Sequence, residues 1–167
     1  MKIFIILFFI VLIVTSIFFY LNKKNTQNQL KAHTAKAFVI TCMDFRLIDD
    51  VGTYLDNIGY HNNYDEFILA GASLGYNQTK YSSWVETLEK HIEIAKNLHD
   101  IKEIIVIDHI GCGAYKLFYN LENIEKEKEI QLHIENLEKF KNKINEKYPE
   151  LTVKTLLMDL NGKIINI

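Results

Sequence analysis

Two short segments of this chain concentrate residue types that bind metal ions and move protons. One is Cys42-Met43-Asp44-Phe45-Arg46, and the other is Asp108-His109-Ile110-Gly111-Cys112-Gly113. Two thiolates and one imidazole make three ligands, the number typical of a catalytic zinc site that keeps its fourth position for water or substrate, whereas a structural site takes four. His109 and Cys112 form a local pair across a glycine-containing turn, and Cys42 has to arrive from another part of the fold. Each segment alone has a plainer account. Cysteine is among the most often buried residue types, and a single histidine at the end of an apolar run is commonly a hydrogen-bonded core residue. A Cys42 to Cys112 disulfide is a third account, open if the chain is exported. Taken together, the two segments favour a Zn2+ site made of Cys42, His109 and Cys112.

Arg46 is the only arginine in the chain, against 18 lysines, so a generic positive charge is supplied elsewhere by lysine. A planar guanidinium two positions after Asp44 can hold that carboxylate bidentately and keep it ionised. Held so, Asp44 is off the metal and oriented as the acceptor for a metal-bound hydroxide. The alternative is an ordinary surface or helix-start ion pair, worth little.

These residues need elements that bring them to one place. Short β-branched or aromatic runs alternate with helical stretches, which predicts an α/β fold with a small parallel, or mostly parallel, sheet of about four or five strands flanked by helices. The strands are Phe38 to Ile40, Phe67 to Leu69, Ile104 to Ile107 and Leu151 to Leu157, and Asn161-Gly162 is a turn signal before a short terminal hairpin strand. Helices are expected from Ile48 to Ile58, from Ser82 to Leu98 behind the caps Ser82 and Ser83, and through Ile130 to Tyr148, stopped by Pro149. In open parallel sheets ligands bind beyond the carboxyl ends of the strands, and neighbouring strands lie ~4.8 Å apart, so Cys42 and His109 can converge there. The second strand delivers a small-residue loop whose Gly71, Ala72 and Ser73 are candidates for a substrate pocket, as is Gly113.

The 167 residues allow one compact domain and little more. A net charge of -2 gives no basic field for nucleic acid, and two cysteines exclude a disulfide scaffold. From Ile3 to Leu21 runs a nearly unbroken apolar stretch, read as a single-pass transmembrane anchor over residues 1–22 and not as a cleaved signal, although Ala35-Lys36-Ala37 has the small residues of a cleavage site. Lys23, Lys24, Lys31 and Lys36 follow the span and only Lys2 precedes it, so the positive-inside bias puts the domain on the cytoplasmic side of the membrane. Residues 23–36 read as a polar linker, and residues 37–167 as the zinc domain.

In combination, Cys-x-Asp-x-Arg at Cys42, Asp44 and Arg46 and His-x-x-Cys-Gly at His109, Cys112 and Gly113 resemble the β-class carbonic anhydrases, here as a short, membrane-anchored variant. The resemblance covers most of the chain from Ala37 onward. It implies zinc held by Cys42, His109 and Cys112, an Asp44–Arg46 catalytic dyad, a homodimer with active sites near the interface, and zinc-dependent hydration of carbon dioxide to bicarbonate. It also implies that Asp44 can swing onto zinc in place of water. The chain departs from the pattern in three ways. The loop from Ala70 to Gly75 has neither the Arg nor the Asn that is usual there, Asp108 stands where Gly is common, and the amino-terminal helical arm is short. Hydrolysis of carbonyl sulfide or carbon disulfide on the same scaffold, or a membrane-tethered zinc-binding protein without turnover, are the alternatives. A thiol phosphatase is disfavoured, because its loop needs five residues between Cys and Arg and this one has three. His61, His91 and His99 are candidate proton carriers or plain surface histidines.

Overall fold

The computed structural model describes residues 11–21, 33–122 and 124–167. The chain divides into two units, residues 1–33 and 34–167. In the second unit five strands form one mixed sheet: β1 (Ala37–Thr41), β2 (Tyr64–Ile68), β3 (Glu103–His109), β4 (Thr152–Met158) and β5 (Ile164–Ile165). Their order is β2-β1-β3-β4-β5; the first four run parallel and β5 pairs antiparallel with β4. After β1 the chain steps to one side for β2 and returns to the other side for β3. That reversal places the ligand-binding crevice of an open sheet at the carboxyl ends of β1 and β3.

β1 and β3 are apolar along nearly their whole length because both faces are covered. With a side-chain period of two, Phe38, Ile40, Ile104 and Val106 pack with Leu88, Ile92, Leu137, Phe140 and Ile144. These come from the helices α3 (Ser82–His99) and α5 (Lys126–Lys147). Ala37, Val39, Ile105 and Ile107 pack instead with Leu47, Val51 and Leu55, mostly from α1 (Ile48–Asn57). Each fully buried Leu, Ile or Phe contributes roughly 1.5–3 kcal/mol over leaving it exposed. Two short helices complete the unit: α2 (Ser73–Asn77), after the loop that leaves β2, and α4 (Gly113–Tyr119), directly after Cys112. α5 ends at Lys147 because Tyr148 precedes Pro149, which disfavours a helical residue there, and Tyr148 leaves the helix at φ -131°, ψ 66°.

The structure corrects several expectations. Among the described residues no helix is long and apolar enough to cross a membrane. The described residues 11–21 are helical and account for ~16 Å at ~1.5 Å per residue. The rest of the span expected from Ile3 to Leu21, residues 3–10, and the linker residues 23–32 lie outside the described residues. The transmembrane anchor is therefore withdrawn, and with it the membrane as a partner, the single-pass location and the cytoplasmic orientation read from the flanking lysines. Ser82 and Ser83 are not caps, since α3 is preceded by Tyr81 and has no side-chain cap. α2 and α4 were not expected, because five- and seven-residue helices carry too few turns to show a periodicity.

Candidate metal centre

Cys42 is the first residue after β1 and His109 the last of β3, and the two strands are hydrogen-bonded neighbours. Cys112 follows one turn later. It precedes α4, and the sulfur lies in a small apolar cluster with Leu74 and Tyr115. One ligand atom from each of Cys42, His109 and Cys112 falls within 4.8 Å of the others. The thiols are free, with their sulfurs 3.7 Å apart.

The tightness of this group depends on glycine at two points. Gly111, between the two nearer ligands, has φ +72°, a left-handed conformation that side chains resist. Gly71 has φ +76°, and a Cβ there would come within 3.0 Å of Ala114 Cβ. Without that Cβ the loop closes on the site, and the Gly71 amide donates to Cys42 Sγ at 3.4 Å.

The imidazole of His109 is 2% exposed. Its Nδ1 lies 2.9 Å from the carbonyl of Ile110, so Nδ1 carries the proton and donates it. That leaves a lone pair on Nε2, which is buried and has no hydrogen-bond partner. A buried, unpartnered nitrogen grouped with two thiols fits Zn2+, whose ligands are neutral imidazole and thiolate. In the ion-free chain Cys42 ionises first. Its pKa is lowered to about 4 by the hydrogen bond from the Cys112 thiol and, against burial, by His109 and the Gly71 amide. Cys112, facing that thiolate in a buried place, is pushed up and keeps its proton. Burial opposes a charge on His109 most strongly, yet the contacts with Cys42 outweigh it and leave the imidazole's pKa raised. One sulfur of the pair is thus ready as a ligand, and a cation bound there would have to displace the proton of the other.

Asp44 and Arg46 sit at the rim. Arg46 Nε donates to Asp44 Oδ1 at 2.8 Å and Nη2 to Oδ2 at 2.6 Å, a bidentate pair, while the Arg46 amide also donates to Oδ1. The guanidinium holds the Asp44 carboxyl well below the usual carboxylate range. Asp44 Oδ2 lies 3.7 Å from His109 Nε2, so the ionised carboxylate borders the ligand cluster. Arg46 Nη2 further donates to the carbonyl of Gly111 at 2.9 Å. Asp44, Cys42 and His109 border a cavity of about 150 Å³ whose other walls include Leu47, Val51, Ile68, Ile107 and Met158. A second, more open depression of about 400 Å³ lies between Phe45, Trp84, Phe118 and Gly113.

The remaining residues singled out from sequence fall elsewhere. Ala72 and Ser73 are fully buried and line neither cavity, and Gly71 contributes its amide to Cys42. Gly113 starts α4. Of the three histidines, His61 pairs with Asp56, His99 pairs with Asp65, and His91 donates to the Thr87 carbonyl. None lines the 150 Å³ cavity. Sequence reasoning gave no role to the most heavily bonded acid near the site, Asp108. Its carboxylate accepts from the amide and hydroxyl of Ser73 at 3.0 and 2.6 Å, from Tyr115 Oη at 2.6 Å, and from His133 Nδ1 at 3.0 Å. An acid where a small residue is usual was the signal, and its partners on three other elements were not visible.

A family model described as "Putative carbonic anhydrase" matches residues 32–167. The chain belongs to this carbonic anhydrase family. An uncharacterised protein of Rickettsia bellii (strain RML369-C) is 44% identical over 134 residues, covering 80% of this chain and 82% of its own. Among solved structures, a tetrameric β-carbonic anhydrase of Sordaria macrospora is 15% identical with a TM-score of 0.44, covering 91% of this chain and 93% of its own. An apo form of a carbon disulfide hydrolase is 14% identical with a TM-score of 0.47, covering 89% of this chain and 86% of its own. The membership rests on the family model and the rickettsial relative.

Proposed function

We propose that this family member hydrates carbon dioxide to bicarbonate with zinc held by Cys42, His109 and Cys112. Zinc in such a site lowers the pKa of a bound water toward about 7 and so supplies a nucleophile at neutral pH. The observation that carries the reading is a single juxtaposition: the buried, unpartnered Nε2 of His109 lies 3.7 Å from a carboxylate that Arg46 keeps ionised, at the edge of an apolar cavity.

Each residue has a defined task. Asp44, ionised throughout the neutral range, can only accept a hydrogen bond, so its Oδ2 selects a water or hydroxide that presents a proton and orients the oxygen lone pair. Arg46 fixes that oxygen by a fork no lysine can form. Leu47, Val51, Ile107 and Met158 offer a small, linear, apolar molecule a dry surface and offer a charged product no counter-charge, which favours release of bicarbonate. The experiment is metal analysis together with stopped-flow carbon dioxide hydration on the purified chain. One zinc per chain with hydration above the buffer rate is the expected result. Zinc without hydration, joined to turnover of carbonyl sulfide or carbon disulfide, would replace the substrate and keep the site.

A further inference from the structure

Helix α5 takes hold of the turn between His109 and Cys112 from both sides of the histidine. Glu129 and His133 are one turn apart on the same face and are buried, at 7% and 0% exposure. His133 reaches Asp108, the residue before His109. Glu129 Oε1 accepts the amide of Gly111, two residues after His109, at 2.7 Å. The opposite end of Gly111, its carbonyl, accepts from Arg46 at 2.9 Å. The peptide joining the two nearer ligands is therefore gripped at its amide by α5 and at its carbonyl by the residue that holds Asp44.

We propose that Glu129 is a positioning residue of this centre, fixing the Gly111 turn so that His109 and Cys112 keep their spacing and so that Arg46 finds the carbonyl that aims it at Asp44. A first-turn acid such as Glu129 also favours its helix electrostatically, but Glu127 shares that role and is exposed. What sets Glu129 apart is its burial and its short bond to Gly111. The groups that hold a ligand in orientation typically matter 10- to 100-fold in metal affinity. The metal readout below rests on the zinc reading; the amide readout does not.

The test uses the full chain and the variants Glu129→Ala, Glu129→Gln and Glu127→Ala. In metal-free protein, hydrogen exchange at the Gly111 amide is measured. In loaded protein, zinc affinity by chelator competition and the absorption bands of the cobalt(II) form are measured. Glu129→Ala should speed Gly111 exchange at least tenfold, weaken zinc about 10- to 100-fold and shift the cobalt bands. Glu129→Gln, which keeps an acceptor oxygen, should bring all three back to within a few-fold of wild type, and Glu127→Ala should change none. Unchanged exchange and affinity in Glu129→Ala would overturn the proposal, as would Glu129→Gln behaving like Glu129→Ala, or Glu127→Ala producing the same loss. A wild-type chain that binds neither zinc nor cobalt would sink the zinc reading, and Gly111 exchange alone would then decide the clamp.

Discussion

Replacing Arg46 by lysine keeps the positive charge and removes the fork. In the native site Arg46 makes three side-chain bonds, two to Asp44 and one to the Gly111 carbonyl. An ammonium has three donors but only one nitrogen, so it cannot reproduce the paired Nε and Nη2 contacts to the two Asp44 oxygens and reach the Gly111 carbonyl in the same geometry; two of the three bonds are counted as lost. Bonds to charged partners contribute ~1.5–3 kcal/mol when well buried, but the Arg46 side chain is 40% exposed, and water replaces part of each. At ~1 kcal/mol per lost bond the variant gives up about 2 kcal/mol of positioning, or roughly a 30-fold fall in kcat/KM. Stopped-flow hydration with zinc content measured on the same sample is the assay, and zinc should stay at the wild-type level. Asp44→Asn should likewise slow hydration with zinc retained. Stability in acid supplies a second reading. Asp44 has its pKa lowered by Arg46, so its charge contributes stability present above the ordinary carboxylate value and lost as pH falls below it. Removing the fork raises that pKa, so the loss of stability in acid, read by urea unfolding, should begin at higher pH in Arg46→Lys and at higher pH still in Arg46→Ala. Hydration by Arg46→Lys within twofold of wild type, with stability in acid unmoved, would show that charge alone matters and would refute the geometric argument.

Further outcomes can be checked in the same preparations. Cys112→Ala should remove most of the zinc by elemental analysis, because two ligands seldom retain the ion. Asp108→Ala strands the Ser73, Tyr115 and His133 donors in the interior and should cost ~3–5 kcal/mol in urea unfolding. Phe140→Ala empties a fully buried site between α5 and the sheet and should cost ~3–5 kcal/mol. Val51→Phe narrows the 150 Å³ cavity and should lower kcat/KM while zinc content stays unchanged.

What the sequence disclosed was what depends on local pattern. β1 and β3 were readable because both faces of each are buried, which produces continuous β-branched runs. The ends of those runs gave the place where Cys42 and His109 meet. β5 was readable from Asn161-Gly162, since Gly162 takes φ +75° in the turn. The supports of the site were not readable. Glu129 and His133 sit among the many Glu and Lys residues of α5, and only tertiary packing separates them from the exposed charges beside them. Ser73 looked like a pocket residue because it lies in a small-residue loop, yet its hydroxyl turns inward to Asp108. The anchor was read from hydropathy alone, and among the described residues no helix is long and apolar enough to cross a membrane.

Cys42 and Cys112 are 70 positions apart along the chain, and their sulfurs are 3.7 Å apart in space. An ion gripped by both would be a staple within the second unit. In the chain-entropy treatment, a cross-link closing a loop of about 70 residues takes ~4 kcal/mol of freedom from the unfolded state. The enclosed stretch contains β2, α2 and α3, so the edge strand and its helices depend on a fastening made by neighbouring strands. Removing such an ion would then loosen more than the site: the metal-free chain should unfold at a lower urea concentration than the loaded one.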